Sequence, residues 1–305
     1  METVVSGHPW GLGDLSVLEN LAKDDGKALL LEDPSGNRYV RKRKSSAAAA
    51  ADEGAVLEWL AAQSCPVSPF ILTSAGGYSH ELDGLEYALY RWLPGTPVAH
   101  LLNGNAIGAT ELYGEACALG HASLRDYHPP RPLRRLRILD QLTGWVRETL
   151  EKDPSEGAAE LLRWCVRELQ DVSSCRSGFI YRDINPHNVL VDGDRITGLI
   201  DLDRVREGPL VFDVGYAAGG VASVQTETAD LPTLVSRFLH GYSRHGTVTD
   251  SDISVLSPML VAIQLMFAMY WHTIDGASEA RDSLDRAFIM YEARDEIQRA
   301  TAPTR

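Results

Sequence analysis

The segment 179–203 constrains this chain more than any other part of its sequence. It contains Asp183, then Asn188 five residues later, and Asp201 a further thirteen residues on. Between Asn188 and Asp201, two apolar runs flank the turn sequence Asp192-Gly193-Asp194, which predicts a β-hairpin. Such a hairpin would return Asp201 to the end of the sheet where Asp183 and Asn188 lie. The segment therefore predicts two carboxylates and an amide at one edge of a small sheet.

This combination of side chains matches what phosphoryl transfer requires. Asp183 is available to accept the proton of an acceptor hydroxyl, while Asn188 and Asp201 offer oxygen ligands of the kind that Mg²⁺ prefers. Asp and Asn are also common in loops, where they favour turns. The complete set, together with a strand-rich segment upstream, nevertheless indicates an active site. The sequence thus predicts kinase-type chemistry.

Composition excludes several other classes of protein. At 305 residues the chain is long enough for one large domain or two lobes, and its formal net charge of −13 disfavours a nucleic-acid partner. The four cysteines lack the spacing of a zinc site or a disulfide framework, and residues 1–13 do not read as a signal peptide, so we expect a cytoplasmic protein. The most apolar run, 259–271, is too short to span a bilayer, so we expect no membrane partner.

The pattern of apolar residues predicts an α+β chain in two lobes. Over about the first 95 residues, strand-like runs and one helical run alternate with turn signals, and residues 91–97 interrupt this pattern as a hinge. We predict an N-terminal nucleotide-binding lobe, 1–93, and a mostly helical C-terminal lobe, 94–305. The predicted strands are 15–21, 28–31, 38–43, 69–73 and 85–90. The predicted helices are 47–62 (capped by Ser45 or Ser46), 111–124, 136–150, 158–171, 231–242, 257–272 and 285–300.

Several motifs resemble the aminoglycoside phosphotransferase and choline-kinase-like branch of the protein-kinase-like superfamily. Tyr181-Arg182-Asp183 with Asn188 resembles the catalytic loop of protein kinases, and Asp201-Leu202-Asp203 stands in place of Asp-Phe-Gly. The branch is further indicated by Phe212-Asp213-Val214-Gly215-Tyr216, Trp92-Leu93-Pro94-Gly95 and residues 113–121. The resemblance covers about residues 15–220. It implies a two-lobed kinase-like α+β fold, with an antiparallel sheet and one helix in the N-terminal lobe.

Carried over position by position, the resemblance gives each motif residue a role. Asp183 would orient and deprotonate the acceptor hydroxyl, and Asn188 and Asp201 would bind magnesium. Asp203 would either help to hold a second ion or only accept a hydrogen bond. Asp213 would be structural, capping a helix and bracing the catalytic loop.

The strand 38–43 contains the candidate for the lysine that binds the nucleotide phosphates. Period-two alternation places Val40 and Lys42 on one face, and a lysine that shares a face with a core valine needs an anionic partner. The phosphates and a carboxylate on the following helix would supply it, with Glu53 the best candidate and Glu58 the second. Alternatively, the segment is a solvated, charge-rich strand edge. A register slip would instead select a neighbouring basic residue: Arg41, Arg43 or Lys44.

In folds of this type adenine binds between the lobes and takes hydrogen bonds from the backbone of the hinge. Here those groups would belong to Arg91, Trp92 and Leu93. The nine histidines show no metal-ligand spacing. We predict that His121 is a core or capping residue, and we assign no role to His187.

Three features depart from the family pattern. Tyr181-Arg182 replaces His-Gly before the catalytic aspartate, and Asn185 stands where Ser/Thr protein kinases carry a lysine, which argues against an ordinary protein kinase. The loop 24–27 has a single glycine, so it cannot form the Gly-rich phosphate loop of protein kinases.

These features together predict a phosphotransferase that uses ATP, or another nucleoside triphosphate, with Mg²⁺ to phosphorylate a hydroxyl of a small molecule. Residues 231–300 contain carboxylates and no lysine, which favours a cationic acceptor such as an aminoglycoside-like antibiotic; the same carboxylates would equally suit a solvated helix face. Two alternatives stay open: a kinase for Ser or Thr of a peptide in natural-product biosynthesis, and a pseudokinase that only binds partners. The carboxylates are Asp250, Asp252, Asp275, Glu279, Asp282, Asp285 and Glu292.

Overall fold

A computed structural model describes residues 4–22, 27–102, 106–152, 155–224 and 230–302. The first part of the chain forms an antiparallel sheet with the strand order β1-β2-β3-β4-β7-β5, and β6 pairs with β7. Its strands are β1 (Val4–Ser6), β2 (Asp14–Asn20), β3 (Ala28–Glu32), β4 (Arg38–Lys44), β5 (Phe70–Ile71), β6 (His80–Leu82) and β7 (Leu85–Arg91). The predicted glycine-poor loop falls mostly outside the described residues, since residues 23–26 are not among them.

One helix, α1 (Ala47–Ala62), connects β4 to β5 and packs on the sheet. Its bounds are those predicted, because a run of alanines favours helix and Ser46 caps it: the Ser46 hydroxyl accepts a hydrogen bond from the Ala49 N–H at 3.1 Å. Its apolar face buries Val56, Leu57 and Leu60. The packing of α1 on β4 therefore places Glu53, which lies on the inner side of the helix, next to that strand.

The second part of the chain is mostly helical and is built around α10, whose residues from Leu256 to Leu265 are all buried. α10 packs against α11, α7 and α6, and α3 packs along α8. None of the helices in the described ranges is long and apolar enough to cross a membrane. The helices are α2 (Val98–Leu102), α3 (Ala106–Ser123), α4 (Ile138–Gln141), α5 (Arg147–Lys152), α6 (Ala158–Glu168), α7 (Leu210–Val224), α8 (Leu231–Tyr242), α9 (Asp250–Ser254), α10 (Leu256–Thr273), α11 (Ala277–Glu292) and α12 (Arg294–Thr301).

Glycine allows α3 and α8 to approach each other closely. A Cβ atom on Gly114 would lie 2.0 Å from the Phe238 carbonyl oxygen, and one on Gly241 would lie 1.9 Å from the Glu111 carbonyl oxygen. Any side chain at either position would push the two backbones apart. The pair therefore sets the spacing of two helices that contribute to the core of this part of the chain.

Two small antiparallel sheets hold the segment that the sequence singled out. β10 (Val189–Asp192) and β11 (Arg195–Leu199) form the predicted hairpin, and β8 (Thr96–Pro97) adds to its outer edge. β9 (Ser177–Ile180) pairs with β12 (Arg206–Pro209). The loop 181–188 therefore starts from one sheet and ends in the other, and so does the segment 200–205.

Several helix predictions were wrong in their extent. The predicted helix 136–150 is divided into α4 and α5 by a π-helical turn over 142–146, because Gly144 has a non-helical conformation. The predicted helix 285–300 is two helices: α11 begins earlier, and the chain turns at Ala293 before α12. No bounds were predicted for α7, the helix that Asp213 was expected to cap. The lobe boundary at residues 93 and 94 stays a prediction.

Candidate active site

The loop 181–188 is held in place by a buried carboxylate on α7. Asp213 accepts hydrogen bonds from the backbone N–H groups of Tyr181, at 2.6 Å, and Arg182, at 2.9 Å. His121 Nε2 lies 2.9 Å from the same carboxylate, and the hydroxyl of Tyr242 lies 2.9 Å from His121 Nδ1. Asp213 is fully buried and lies inside the first turn of α7, so it braces the loop without capping the helix. His121 is a core residue, as predicted.

Asp183 lies in this braced loop with both carboxylate oxygens engaged. The Tyr216 hydroxyl donates to Oδ1 at 2.6 Å, and Arg204 Nε lies 3.5 Å from Oδ2. Burial and the neighbouring Asp183 charge raise the pKa of Tyr216, so Tyr216 remains a hydrogen-bond donor at neutral pH. The Asp183 side chain is only partly exposed and has a defined orientation.

The structure brings the three predicted metal-binding residues close to this loop. Asn188 donates from Nδ2 to the Asp183 carbonyl oxygen at 2.9 Å, which leaves its amide oxygen as the group available to a cation. Asp201 follows the hairpin at a φ of 61°, a left-handed conformation that is costly for a residue other than glycine. Asp203 lies two residues further on, and Lys42 pairs with both carboxylates: it forms an ion pair with Asp201, and its Nζ lies 3.6 Å from Asp203 Oδ2.

The charges of this cluster reinforce one another. Burial opposes the charge of Lys42, but the carboxylates of Asp201 and Asp203 together raise its pKa above the usual value. Burial likewise opposes the charge of Asp201, and Lys42 lowers its pKa overall. At neutral pH the Lys42 ammonium and the Asp201 carboxylate are therefore ionised.

The predicted pair of Lys42 with Glu53 does not form. Glu53 instead makes an ion pair with Lys44, and its Oε1 accepts a hydrogen bond from the Tyr90 hydroxyl at 2.9 Å. Only 2% of either side chain in this pair is exposed. The pKa of Glu53 is raised because burial outweighs the effect of the neighbouring Lys44. Glu58, the second candidate, accepts from Tyr78 near the surface.

A cavity of about 420 Å³ lies between the sheet and the helical part of the chain. Its polar wall contains Lys42, Glu53 and Asp201, and the predicted hinge residues line its rim. It also contains His187, a residue that was assigned no role from the sequence. Its apolar wall contains Leu21, Ala28, Val40, Leu57, Pro97, Leu190 and Leu199. The cavity has the apolar faces and the charged end that a nucleotide requires.

Within the hinge, two of the backbone groups already have protein partners. The Arg91 carbonyl oxygen accepts from the Ser68 hydroxyl at 2.8 Å, and the Trp92 N–H donates to the Arg38 carbonyl oxygen at 2.9 Å. Among the described residues, the Leu93 N–H has no protein acceptor. Leu93 therefore offers a free hydrogen-bond donor in the hinge.

A second cavity, of about 260 Å³, lies beside Asp183 on the helical side. Its walls are mainly aromatic, with two arginines, Arg182 and Arg204, near the carboxylate. The aromatic residues are Trp145, Phe212, Tyr216, Phe267 and Tyr270. None of these side chains was predicted to belong to the site. Tyr216 had a signal, since it lies three residues after Asp213 on the same helix.

The carboxylates that suggested a cationic acceptor lie elsewhere. None of the seven, from Asp250 to Glu292, lines either of these cavities in the described part of the chain. Asp252 instead is buried, caps α9 with Thr249, and lies 3.3 Å from Arg176 Nε. The surface charge of residues 231–300 is therefore separate from the site.

The fold and the position of these residues define the class of the protein. An antiparallel sheet with one helix, a helical second part, and charged residues in the cleft between them form a two-lobed protein-kinase-like fold. Residues 24–251 match the sequence profile of the phosphotransferase enzyme family. Because this match covers more than half of the chain, the protein belongs to that family and is a phosphotransferase enzyme.

Solved structures share the fold at low sequence identity. An aminoglycoside phosphotransferase from Alicyclobacillus acidocaldarius is 15% identical, with a TM-score of 0.69 over 93% of this chain and 91% of that one. An amicoumacin kinase is 15% identical, with a TM-score of 0.68 over 94% and 88%. A choline/ethanolamine kinase family protein from Mesorhizobium loti is 13% identical, with a TM-score of 0.63 over 97% and 93%. A comparison with curated proteins gave no match. These likenesses confirm the predicted fold and family resemblance.

Proposed function

We propose that this phosphotransferase moves the γ-phosphoryl group of ATP, or of another nucleoside triphosphate, to a hydroxyl of a small molecule, with Mg²⁺ as cofactor. The observation that carries the proposal is the arrangement of the two cavities. Lys42 and Asp201 line the cleft between the lobes, and Asp183, whose carbonyl oxygen accepts a hydrogen bond from Asn188, lines the aromatic cavity. A donor in the first and an acceptor in the second would meet at Asp183.

The cleft suits a nucleotide in both its apolar and its charged part. Leu93 offers a backbone N–H to the base, and Lys42 offers its ammonium group to the phosphates. Arg91 and Trp92 would contribute mainly the shape of the rim, and Glu53 would act through Lys44. Related folds have been solved with nucleotides: the amicoumacin kinase with AMP-PNP, and a spectinomycin phosphotransferase with ADP.

Asn188, Asp201 and Asp203 would hold the magnesium ion. Two carboxylates and an amide oxygen are hard ligands that fit this ion, and in the structure the carboxylates already require a positive partner, which Lys42 supplies. When bound, the ion supplies neutralisation of phosphate charge. Lys42 would then be released from Asp201 to contact the phosphates.

Asp183 would orient the acceptor hydroxyl and take its proton. The bond from the acceptor oxygen to the γ-phosphorus forms while the bond from that phosphorus to the bridging oxygen breaks. The nucleoside diphosphate leaves with the bridging oxygen, and the proton passes from Asp183 to solvent. Tyr216 holds the carboxylate in place, so the protein contributes mainly positioning and charge stabilisation.

A small-molecule acceptor fits the size of the aromatic cavity. Proteins of the same fold have been solved with spectinomycin and with hygromycin B. By that likeness, we propose that this protein modifies an antibiotic. The seven carboxylates that favoured a cationic acceptor lie away from the site, so they do not support one. A peptide Ser or Thr remains the second candidate, and membership of an enzyme family disfavours a pseudokinase. The four cysteines are buried and unpaired, which fits the cytoplasm.

The test replaces Asp183 by Asn and compares it with Asp194→Asn, an exposed aspartate in the hairpin turn. Candidate hydroxyl compounds and Ser/Thr peptides are incubated with Mg²⁺ and ATP, and mass spectrometry detects phosphorylated product. We expect Asp183→Asn to keep its stabilisation by Mg²⁺-ATP but to lose transfer by about 10²-fold or more, whereas Asp194→Asn keeps both. Transfer at the wild-type rate by Asp183→Asn would remove this residue from the mechanism.

A further inference from the structure

Three arginines meet beside the catalytic loop of an otherwise strongly acidic protein. Arg182 and Arg204 line the aromatic cavity, and Arg206 lies close behind them on β12. In the cavity wall, Asp183 is the one carboxylate among the described residues, and it already contacts Arg204 and Tyr216. The wall therefore carries more positive than negative charge.

Resting on the function proposed above, we propose that the aromatic cavity selects an acceptor that bears a carboxylate or a similar anionic group, which Arg182 and Arg204 bind. The hydroxyl of such an acceptor would lie against Asp183. Its apolar body would pack on the aromatic residues, among them Trp145 and Phe267.

Arg182 provides the strongest argument for an anion. In the described chain no carboxylate lies within ion-pairing distance of its guanidinium, although the side chain is more than half withdrawn from water. Burial lowers the pKa of Arg182, repulsion from Arg206 and Arg204 lowers it further, and the nearby Asp183 charge offsets this only in part. A partly desolvated guanidinium that forms no ion pair is costly, and a bound carboxylate would provide two charge-assisted hydrogen bonds.

The backbone supports the same conclusion. Arg182 has a φ of 64°, in the left-handed region where glycine is relaxed and other residues are strained by about 1 kcal/mol or more. The strain is imposed by Asp213, which accepts hydrogen bonds from the N–H groups of both Tyr181 and Arg182. Glycine would be relaxed at this position, so the strained arginine is a reason to look for a role of its side chain in the site.

The remaining residues of the cavity wall indicate what kind of group the rest of the acceptor carries. Trp145 follows the break in the helix at Gly144, and its indole N–H donates to Gln141 at 3.0 Å, which fixes the ring. Tyr270 stands at the mouth of the cavity with 49% of its surface exposed. Fixed aromatic faces favour a flat or apolar body. The acceptor class is therefore a compact hydroxy acid with an apolar or aromatic body.

The test uses three matched probes: N-benzoylserine, which has a hydroxyl and a carboxylate, its neutral methyl ester, and the cation phenylalaninol. Calorimetry measures their binding to the protein with Mg²⁺ and a non-hydrolysable ATP analogue. The variants are Arg182→Gln and, as a control of equal charge, Arg163→Gln on the exposed side of α6. We expect the wild-type and control proteins to bind the acid at least tenfold more tightly than the ester or the amine. In Arg182→Gln, the acid and the ester should differ by less than about threefold.

Several results would overturn the proposal. The first is that the ester or the amine binds as tightly as the acid or more tightly. The second is that the acid shows no detectable binding at about 1 mM. The third is that Arg182→Gln still prefers the acid to the ester. Weaker binding of the ATP analogue in Arg182→Gln would also overturn it, because the arginine would then contact the nucleotide. If the analogue binds normally while the acid shows no preference, only the acceptor class fails. If the wild type does not bind the analogue, the proposed kinase function fails.

Discussion

Replacing Lys44 by Met should destabilise this protein strongly, although the sequence favoured Lys42 as the partner of Glu53. The Lys44 and Glu53 side chains are each only 2% exposed, so almost no solvent screens their ion pair. Removing the ammonium leaves a buried carboxylate with only the Tyr90 hydroxyl as donor. Loss of one partner from a buried pair costs about 3–5 kcal/mol, which for a chain of this size lowers Tm by about 10 °C.

The matched control is Lys42→Met on the same strand. Lys42 is 22% exposed, and its partners Asp201 and Asp203 are 36% and 37% exposed. Water reaches this pair more than it reaches the pair of Lys44 and Glu53, so its loss should change the free energy of unfolding less, by about 1 kcal/mol. The double variant Lys44→Met with Glu53→Gln removes the unpaired charge and keeps an acceptor for Tyr90, so it should recover about 2 kcal/mol relative to Lys44→Met.

Chemical denaturation followed by circular dichroism measures these four proteins and the single variant Glu53→Gln, which completes the double-mutant cycle and gives the coupling energy of Lys44 and Glu53. A loss below about 1 kcal/mol for Lys44→Met would refute the reasoning. So would a larger loss for Lys42→Met than for Lys44→Met. Either result would mean that Glu53 has a different partner in solution.

Three further predictions concern the fold around the site. Asp213→Asn should cost about 3 kcal/mol in unfolding experiments, because a buried carboxylate that holds two backbone N–H groups is replaced by an amide that can accept fewer bonds; an unchanged midpoint would contradict this. Gly241→Ala should destabilise by about 3 kcal/mol, since its Cβ would lie 1.9 Å from the Glu111 carbonyl oxygen, and wild-type stability in a thermal melt would disprove the close approach. Asp201 has a lowered pKa in the native state, so its stabilising effect is present above about pH 4 and is lost as the pH falls through that pKa. In Asp201→Asn, the free energy of unfolding should therefore fall less steeply at acid pH than in the wild type. The same acid dependence in both proteins would contradict the Lys42 contact.

The sequence predicted the elements whose local signals agree with their packing. The alanine run preceded by Ser46 predicted the bounds of α1, and the turn Asp192-Gly193-Asp194 predicted the hairpin. Sequence reasoning failed where the helical spacing of apolar residues continues through a bend. Gly144 breaks one predicted helix, and the turn at Ala293 separates two helices whose apolar patterns are continuous.

The choice between the two lysines also lay beyond sequence reasoning. Lys42 and Lys44 have the same parity on β4, so alternation places both on the face of Val40 and cannot rank them. Their partners depend on how α1 packs over the strand, which brings Glu53 to Lys44. Arg41 points to the opposite face, where its guanidinium lies 4.6 Å from the centre of the Tyr87 ring. The aromatic cavity was missed because its residues come from five separate segments of the chain.

If nucleotide and cation bind as proposed, the contact between Lys42 and Asp201 would couple their binding. One ammonium charge balances the Asp201 carboxylate in the free protein, and the same charge is proposed to meet the nucleotide phosphates. Each contact that draws Lys42 to a phosphate would leave negative charge on Asp201 and Asp203, which would raise their affinity for a divalent cation. By reciprocity, a cation at these carboxylates would raise the affinity for nucleotide by the same factor. We therefore expect the cation alone to bind weakly and the two ligands to bind cooperatively.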